Sequence, residues 1–395
     1  MSLSEPTPPR LLTLILLTGL SVLSLNMFLP SLTQIAATFK ADYAVVSLAI
    51  GGYLAVSAVL QLIMGPLSDM IGRRPVILAG LGIFTAASVG CYLAADIWVF
   101  LGFRMLQGAV ISGMVLSRAV IRDIAQPQEA ARLLGQVGTA MALAPLLGPV
   151  LGGVLDEVLG WRANFAAFAL MGAVMLVICW RDLGETNFTR ATSFGAQFRS
   201  YPELVRNGLF WAYCACLVFS VGGFYAFLGG APQVGEAMFG LTPALLGVGM
   251  GSISGGFMLG NYLTGRLSRR FAILQMVIAG RWLATLGPLL GIVLFWAGLA
   301  HPAVMFGAAM FVGLGNGLTL PGANAGVMSV APRLAGSASG LSGALTVAGG
   351  AALTGMTGAM VSGSWGVYAL LGMMFATSAL GLVAAYGIAA IERRG

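Results

Sequence analysis

The stretch GPLSDMIGRRP, residues 65–75, places one acid, two arginines, two glycines and two prolines between two long apolar runs. A turn this short and this charged, set between two apolar runs, reads as the join between two membrane-crossing helices. Within it Asp69 is positioned to accept charge-assisted hydrogen bonds from Arg73 and Arg74, or to face the positive end of a helix. Gly65 allows a neighbouring helix to approach closely.

The rest of the chain fits that reading. Its 395 residues are 58% hydrophobic and 8% charged, against about 25% charged in soluble domains. Lipid is therefore the solvent of most of this chain. Apolar runs long enough to span a bilayer recur at 11–32, 43–65, 76–95, 97–122, 129–156, 163–182, 208–231, 241–265, 271–297, 302–324, 333–361 and 364–390. Alternating barrel strands are absent, so the predicted fold is an all-α membrane protein with twelve transmembrane helices. In that arrangement Lys40 and Arg162 fall on one side, and every other loop arginine, from Arg10 to Arg394, falls on the other. The asymmetry puts both termini in the cytoplasm. The net charge of +7 is then a topology signal facing anionic lipid, and no nucleic-acid partner is implied. The first run continues into Pro30 without a small-residue cleavage site, unlike a signal peptide. Cys91, Cys179, Cys214 and Cys216 lie in apolar runs without metal or redox spacing and read as small buried hydrophobes. No metal or cofactor is expected.

Residues 183–207 form the longest polar interval and divide the chain into two six-helix bundles, 1–182 and 208–395. The halves look related. Residues 65–78 align without gaps on 261–274, with Arg73 and Arg74 matching Arg269 and Arg270 and Gly265 standing where Asp69 does. GWRANF at 160–165 is loosely echoed by SWGVY at 364–368. Halves repeated in parallel imply a substrate site between two bundles.

Gly65, Asp69, Gly72, Arg73 and Arg74 resemble the signature between helices 2 and 3 of the major facilitator superfamily. In that family the cluster latches the bundles together on the cytoplasmic side in the outward-open state; with Gly265 in the second copy, the latch here is expected to be one-sided. FRMLQG at 103–108 resembles the family's buried arginine motif, and at that depth Arg104 must face a polar cavity or a partner. GTAMALAPLLGPVLGG at 138–153 resembles the helix 5 signature of antiporters: Gly138, Gly148, Gly152 and Gly153 set small residues on one face, and Pro145 and Pro149 bend the helix. NMFLPSL at 26–32, SRAVIRDI at 117–124 and GSASGLSGAL at 336–345 are similar to drug/proton antiporters of the bicyclomycin/chloramphenicol resistance type. The resemblance covers nearly the whole chain. It implies efflux by alternating access, protons as coupling ion, a small-molecule substrate, a monomer, and a bacterial inner membrane. It also shows a departure, because the acid usual on helix 1 is Asn26 here.

Every one of the 13 acids maps to a loop or a span end, so Asp123 and Asp156 are the candidate proton sites. Mid-membrane charge is positive, at Arg104 and Arg281. A lipophilic cation would meet no countercharge, which favours neutral or anionic substrates. Asn26, Tyr53, Gln107, Phe224, Tyr225, Met250 and Asn316 are the remaining cavity candidates. The 20 methionines suit an adaptable apolar site. A dedicated exporter or importer of a small metabolite anion using Arg104 is the second transport reading. An enzyme or sensor lacks support: there is no nucleophile–base pair, no GxSxG, no phosphate loop and no output domain.

Overall fold

The computed structural model describes residues 9–187, 201–331, 334–363 and 365–393. They form long helices: α1 (Leu11–Phe39), α2 (Tyr43–Ile71), α3 (Arg73–Leu93), α4 (Ile97–Ile124), α5 (Pro127–Leu159), α6 (Arg162–Asp182), α7 (Gly208–Phe239), α8 (Pro243–Leu267), α9 (Ile273–Trp296), α10 (Pro302–Ser329), α11 (Ala335–Met360) and α12 (Gly366–Glu392). A helix satisfies its own backbone, as lipid requires. Among the described residues eleven helices are long and apolar enough to cross a membrane. The helix outside that count is α11; its 26 residues are dominated by Gly, Ala, Ser and Thr, which dilute its hydropathy.

Three local features differ from the sequence reading. α1 was expected to end near residue 32 and instead reaches Phe39 through a 3₁₀ turn at Leu29–Ser31. Pro30 has no N–H to give Asn26, and the Ser31 N–H turns to the Phe28 carbonyl at 2.9 Å. The helix is thus broken but not ended. In the gate stretch, α2 stays helical through Pro66 and Asp69 to Ile71, and α3 starts at Arg73. The predicted loop therefore shrinks to Gly72, whose φ of 110° reverses the chain in one residue. α5 stays helical through both Pro145 and Pro149.

Helices before and after the 183–207 interval pack mainly within their own half, α3 on α6 and α1 on α5 in the first, α8 and α9 on α10 and α7 on α12 in the second. One face carries the ends of the chain: Arg10 N donates to Asp182 and Tyr213 Oη donates to Glu392. On the opposite face Trp161 donates to Thr38, and Arg162 to the Ala94 carbonyl. The halves meet near that opposite face along two seams, α5 with α8 and α2 with α11. Glycines set their closeness. A Cβ on Gly153 would run into the Pro243 carbonyl, one on Gly247 into the Pro149 carbonyl, and one on Gly51 would lie 3.1 Å from the Ala351 carbonyl. Tyr43 Oη closes the same side by donating to Gly229 O at 2.9 Å. This conformation is shut on the face opposite the termini.

Candidate functional site

The polar cluster around Gly72 is built from both ends of the first half. The Arg73 side chain pairs with Asp69 one turn earlier, and its Nε donates to Asp123 Oδ2 at 3.1 Å. Asp123 thus belongs to the gate cluster, at the end of α4. The Arg73 and Arg74 main-chain N–H groups open α3 and donate to Glu185 Oε1 and Oε2 at 2.8 and 3.3 Å. A carboxylate there meets the positive end of the helix dipole. Asn187 Nδ2 donates to the carbonyls of Ser68 and Asp69 at 3.3 and 3.0 Å, at the end of α2. Glu185 and Asn187 carry no local sequence signal, because their partners lie more than a hundred residues away. Gly72 is doubly constrained: its φ is positive and a Cβ there would strike the Glu185 carboxylate. Among the described residues, the hydrogen bonds and ion pairs of this cluster stay within residues 68–187. Asp69 makes its ion pair within its own half and its side chain is 41% exposed. In the second copy Arg269 and Arg270 lie exposed in the turn after α8, and Gly265 supplies no carboxylate.

Arg104 is fully buried, so it reaches neither lipid headgroups nor solvent. Its Nε donates to Ala49 O (3.1 Å), Nη1 to Gln107 Oε1 (2.8 Å) and Nη2 to Ser24 O (2.8 Å). Its guanidinium lies 4.3 Å from the Phe28 ring centre and 4.2 Å from that of Tyr53. Dipoles and ring faces, rather than a carboxylate, stabilise the charge. Gln107 passes the network on to Ser88, and Tyr53 shares a hydrogen bond with Ser24. Three predicted residues, Tyr53, Arg104 and Gln107, therefore come together as one latticework that ties α1, α2, α3 and α4. Asn26 stands outside it, donating to Val22 O in its own helix.

Arg281 is also fully buried, with a thinner set of partners. Nε donates to Thr319 Oγ1 at 2.9 Å and Nη2 to Asn316 Oδ1, while Nη1 has no partner among the described residues. Asn316 is thus joined to Arg281, in the core of the second half. Tyr225 packs its ring edge against Phe224 and fills the space left by Gly350 of α11. Met250 is buried on α8 near the α5 seam.

The helix 5 glycines divide between two faces, which corrects the single face expected from their spacing. Gly148 and Gly152 receive α1, at Asn26 and at Met27. Gly153, one residue and about 100° further round, receives α8. Gly138 meets nothing within 4 Å, and Pro145 is half-buried. Asp156 lies one turn past Gly152; it is 7% exposed, lies beside Ser31, and one of its oxygens is without a partner among the described residues.

Comparison with known proteins agrees with this architecture. The chain is 27% identical over 402 residues to the uncharacterized MFS-type transporter YdgK of Bacillus subtilis (strain 168), covering 98% of each. It is 28% identical over 372 residues to multidrug resistance protein D of Escherichia coli (strain K12), covering 91% of each. It is 33% identical over 215 residues to a chloramphenicol resistance protein of Pseudomonas aeruginosa, covering 54% of this chain and 51% of that one. Among solved structures, a bacterial homologue of the human lysosomal transporter Spinster superposes with a TM-score of 0.76 at 18% identity, over 98% of both chains. A D-xylose–proton symporter superposes with the same TM-score at 14% identity, over 96% of both. The model of the Major Facilitator Superfamily matches residues 14–354, and the chain belongs to that family of membrane transporters.

Proposed function

We propose that this transporter exports amphipathic drug-like compounds, neutral or anionic, by alternating access between two six-helix bundles, 1–182 and 208–395, joined by 183–207. Both termini are cytoplasmic, as the arginine asymmetry implies, and the protein works as a monomer in the bacterial inner membrane. Export is coupled to the inward flow of a cation, the proton being the ion that the resemblance implies.

The observation that carries this reading is the contrast between the two faces. The glycine seams of α5 with α8 and α2 with α11 are shut, while Asp69 keeps its pairing inside its own half. A latch that is idle while the opposite face is closed is what alternating access requires. In the other state Asp69 engages the second bundle and the glycine seams part. Relatives bearing multidrug and chloramphenicol resistance names support the drug-like substrate class.

The substrate charge follows from the arginines. Arg104 and Arg281 are sealed in the protein, where they set a positive interior. Arg118, on α4, is exposed and lies 3.6 Å from the Met141 sulfur. That accessible guanidinium also favours a second reading, export of a small metabolite anion. A susceptibility panel in an efflux-deficient host, with wild type and Arg118→Ala, separates the two. Protection against neutral phenicol-like compounds that survives Arg118→Ala supports drug export. Protection against none of the panel sinks it.

A further inference from the structure

A second polar nest lies near the shut face, where the break in α1 meets α5 and α6. Asn26 (2% exposed), Asn164 (0%) and Asp156 (7%) each hold an oxygen with no partner among the described residues: Oδ1, Oδ1 and Oδ2 respectively. The donors are already engaged. Asn164 Nδ2 donates to Ser31 Oγ at 3.2 Å and Gly152 O at 3.1 Å, and Asn26 Nδ2 donates to Val22 O at 2.8 Å. The Ser31 hydroxyl also lies beside the Asp156 carboxyl. Met27 O adds another acceptor, since its helical donor, the Ser31 N–H, has turned to Phe28 O. Gly152 brings Met27 O and Asn164 Oδ1 to the same point, where its own Cβ would otherwise stand.

An excess of buried acceptors over donors selects a cation. A proton on Asp156 would serve a single neighbouring oxygen and leave the others orphaned, at a cost of about 1–3 kcal/mol each. A bare metal ion can serve several at once. Oxygen donors from a carboxylate, an amide, a hydroxyl and a carbonyl freed at a helix break are the ligand set of a hard cation, and membrane transporters use unwound helices in this way. One buried carboxylate sets the charge at +1. Glu157 is exposed, Glu236 of α7 faces the site from across the seam and is half-exposed, Lys40 is exposed, and Arg162 donates to the carbonyls of Tyr92 and Ala94. Neither Lys40 nor Arg162 forms an ion pair with Asp156 among the described residues.

We infer that Asp156, Asn164, Ser31 and Met27 O form a sodium-binding site beside the glycine seam. This deepens the transport reading by naming a coupling cation, and sodium competes there with a proton on Asp156. Gly153, one turn before Asp156, is the point where α8 closes on α5, so occupancy of the site is linked to closure of that face.

The test is thermal unfolding of the purified full-length protein in NaCl, KCl or choline chloride at equal ionic strength. Sodium should raise Tm saturably by several degrees, choline should not, and the rise should shrink as acid titrates Asp156. Asp156→Asn and Asn164→Leu should each abolish it. Equal Tm in NaCl and choline, an equal rise in KCl, or a sodium effect that persists in Asp156→Asn would overturn the assignment. Should a variant fail to fold, the wild-type salt comparison still decides. Binding is read here without transport, so a negative result leaves the export reading standing, and a failed susceptibility panel leaves the site standing.

Discussion

Glu185 caps the helix that Arg73 begins. The Arg73 main-chain N–H donates to Glu185 Oε1 at 2.8 Å across a sequence separation of 112 residues, while the Arg73 side chain pairs with Asp69 and Asp123. One residue thus gathers the end of α2, the end of α4 and the start of the linker. Residues 185 and 187 are therefore a structural part of this cluster.

Replacing Glu185 by Gln removes the charge that faces the α3 dipole and weakens two hydrogen bonds. The expected loss is about 1 kcal/mol, seen as a Tm lower by a few degrees, with slower transport. Gly72→Ala should cost about 1–3 kcal/mol through its positive φ, and more where the Glu185 carboxylate blocks the methyl. A Glu185→Gln protein with unchanged Tm and transport would remove the linker from the gate.

The seam glycines make a directional prediction. In Gly247→Leu the new side chain meets the Pro149 carbonyl, and the face opposite the termini cannot close fully. Overpacking of about 1.4 kcal/mol shifts the two states tenfold. A reporter thiol at Ser47, which is fully buried against Gly358, should then label about tenfold faster from that face, in a background without the four native cysteines. Unchanged labelling would mean that the seam does not set the equilibrium.

The two buried arginines differ in how well they are held. Arg104→Met strips partners from Ala49 O, Ser24 O and Gln107, and two ring contacts with them. Its cost should be on the order of 3 kcal/mol. Arg281→Met strips two partners and also removes an unpartnered Nη1, so its cost should be roughly half as large. Unfolding of the purified variants measures both. A larger loss for Arg281→Met would show that the open valence of Nη1 is filled in the membrane.

Much of this architecture was legible in the residues. Apolar runs separated by short charged turns give helices in lipid, and GPLSDMIGRRP announces its family because Asp69, Gly72 and Arg73 stand close in sequence. Arg104 could be placed with a partner because a charge at that depth requires one. Glu185, Asn187 and Asn164 could not be found that way. Each acts on a helix far away in the chain, and an isolated Glu after a membrane span looks like any loop acid. The break at Pro30 was not read from the sequence, and the carbonyl it frees matters only because Gly152 of α5 arrives beside it. Side-chain periodicity also misled at Gly153, where one extra residue rotates the glycine from α1 to α8.

Export itself is measured most directly in everted membrane vesicles, following uptake of a labelled neutral phenicol-like compound under an imposed cation gradient. Wild type should accumulate it several-fold over vesicles lacking the protein. Asp69→Asn should insert normally and transport poorly, because the latch that holds the other state is gone. Robust, electrogenic uptake of a quaternary cation, or full transport by Asp69→Asn, would contradict the account.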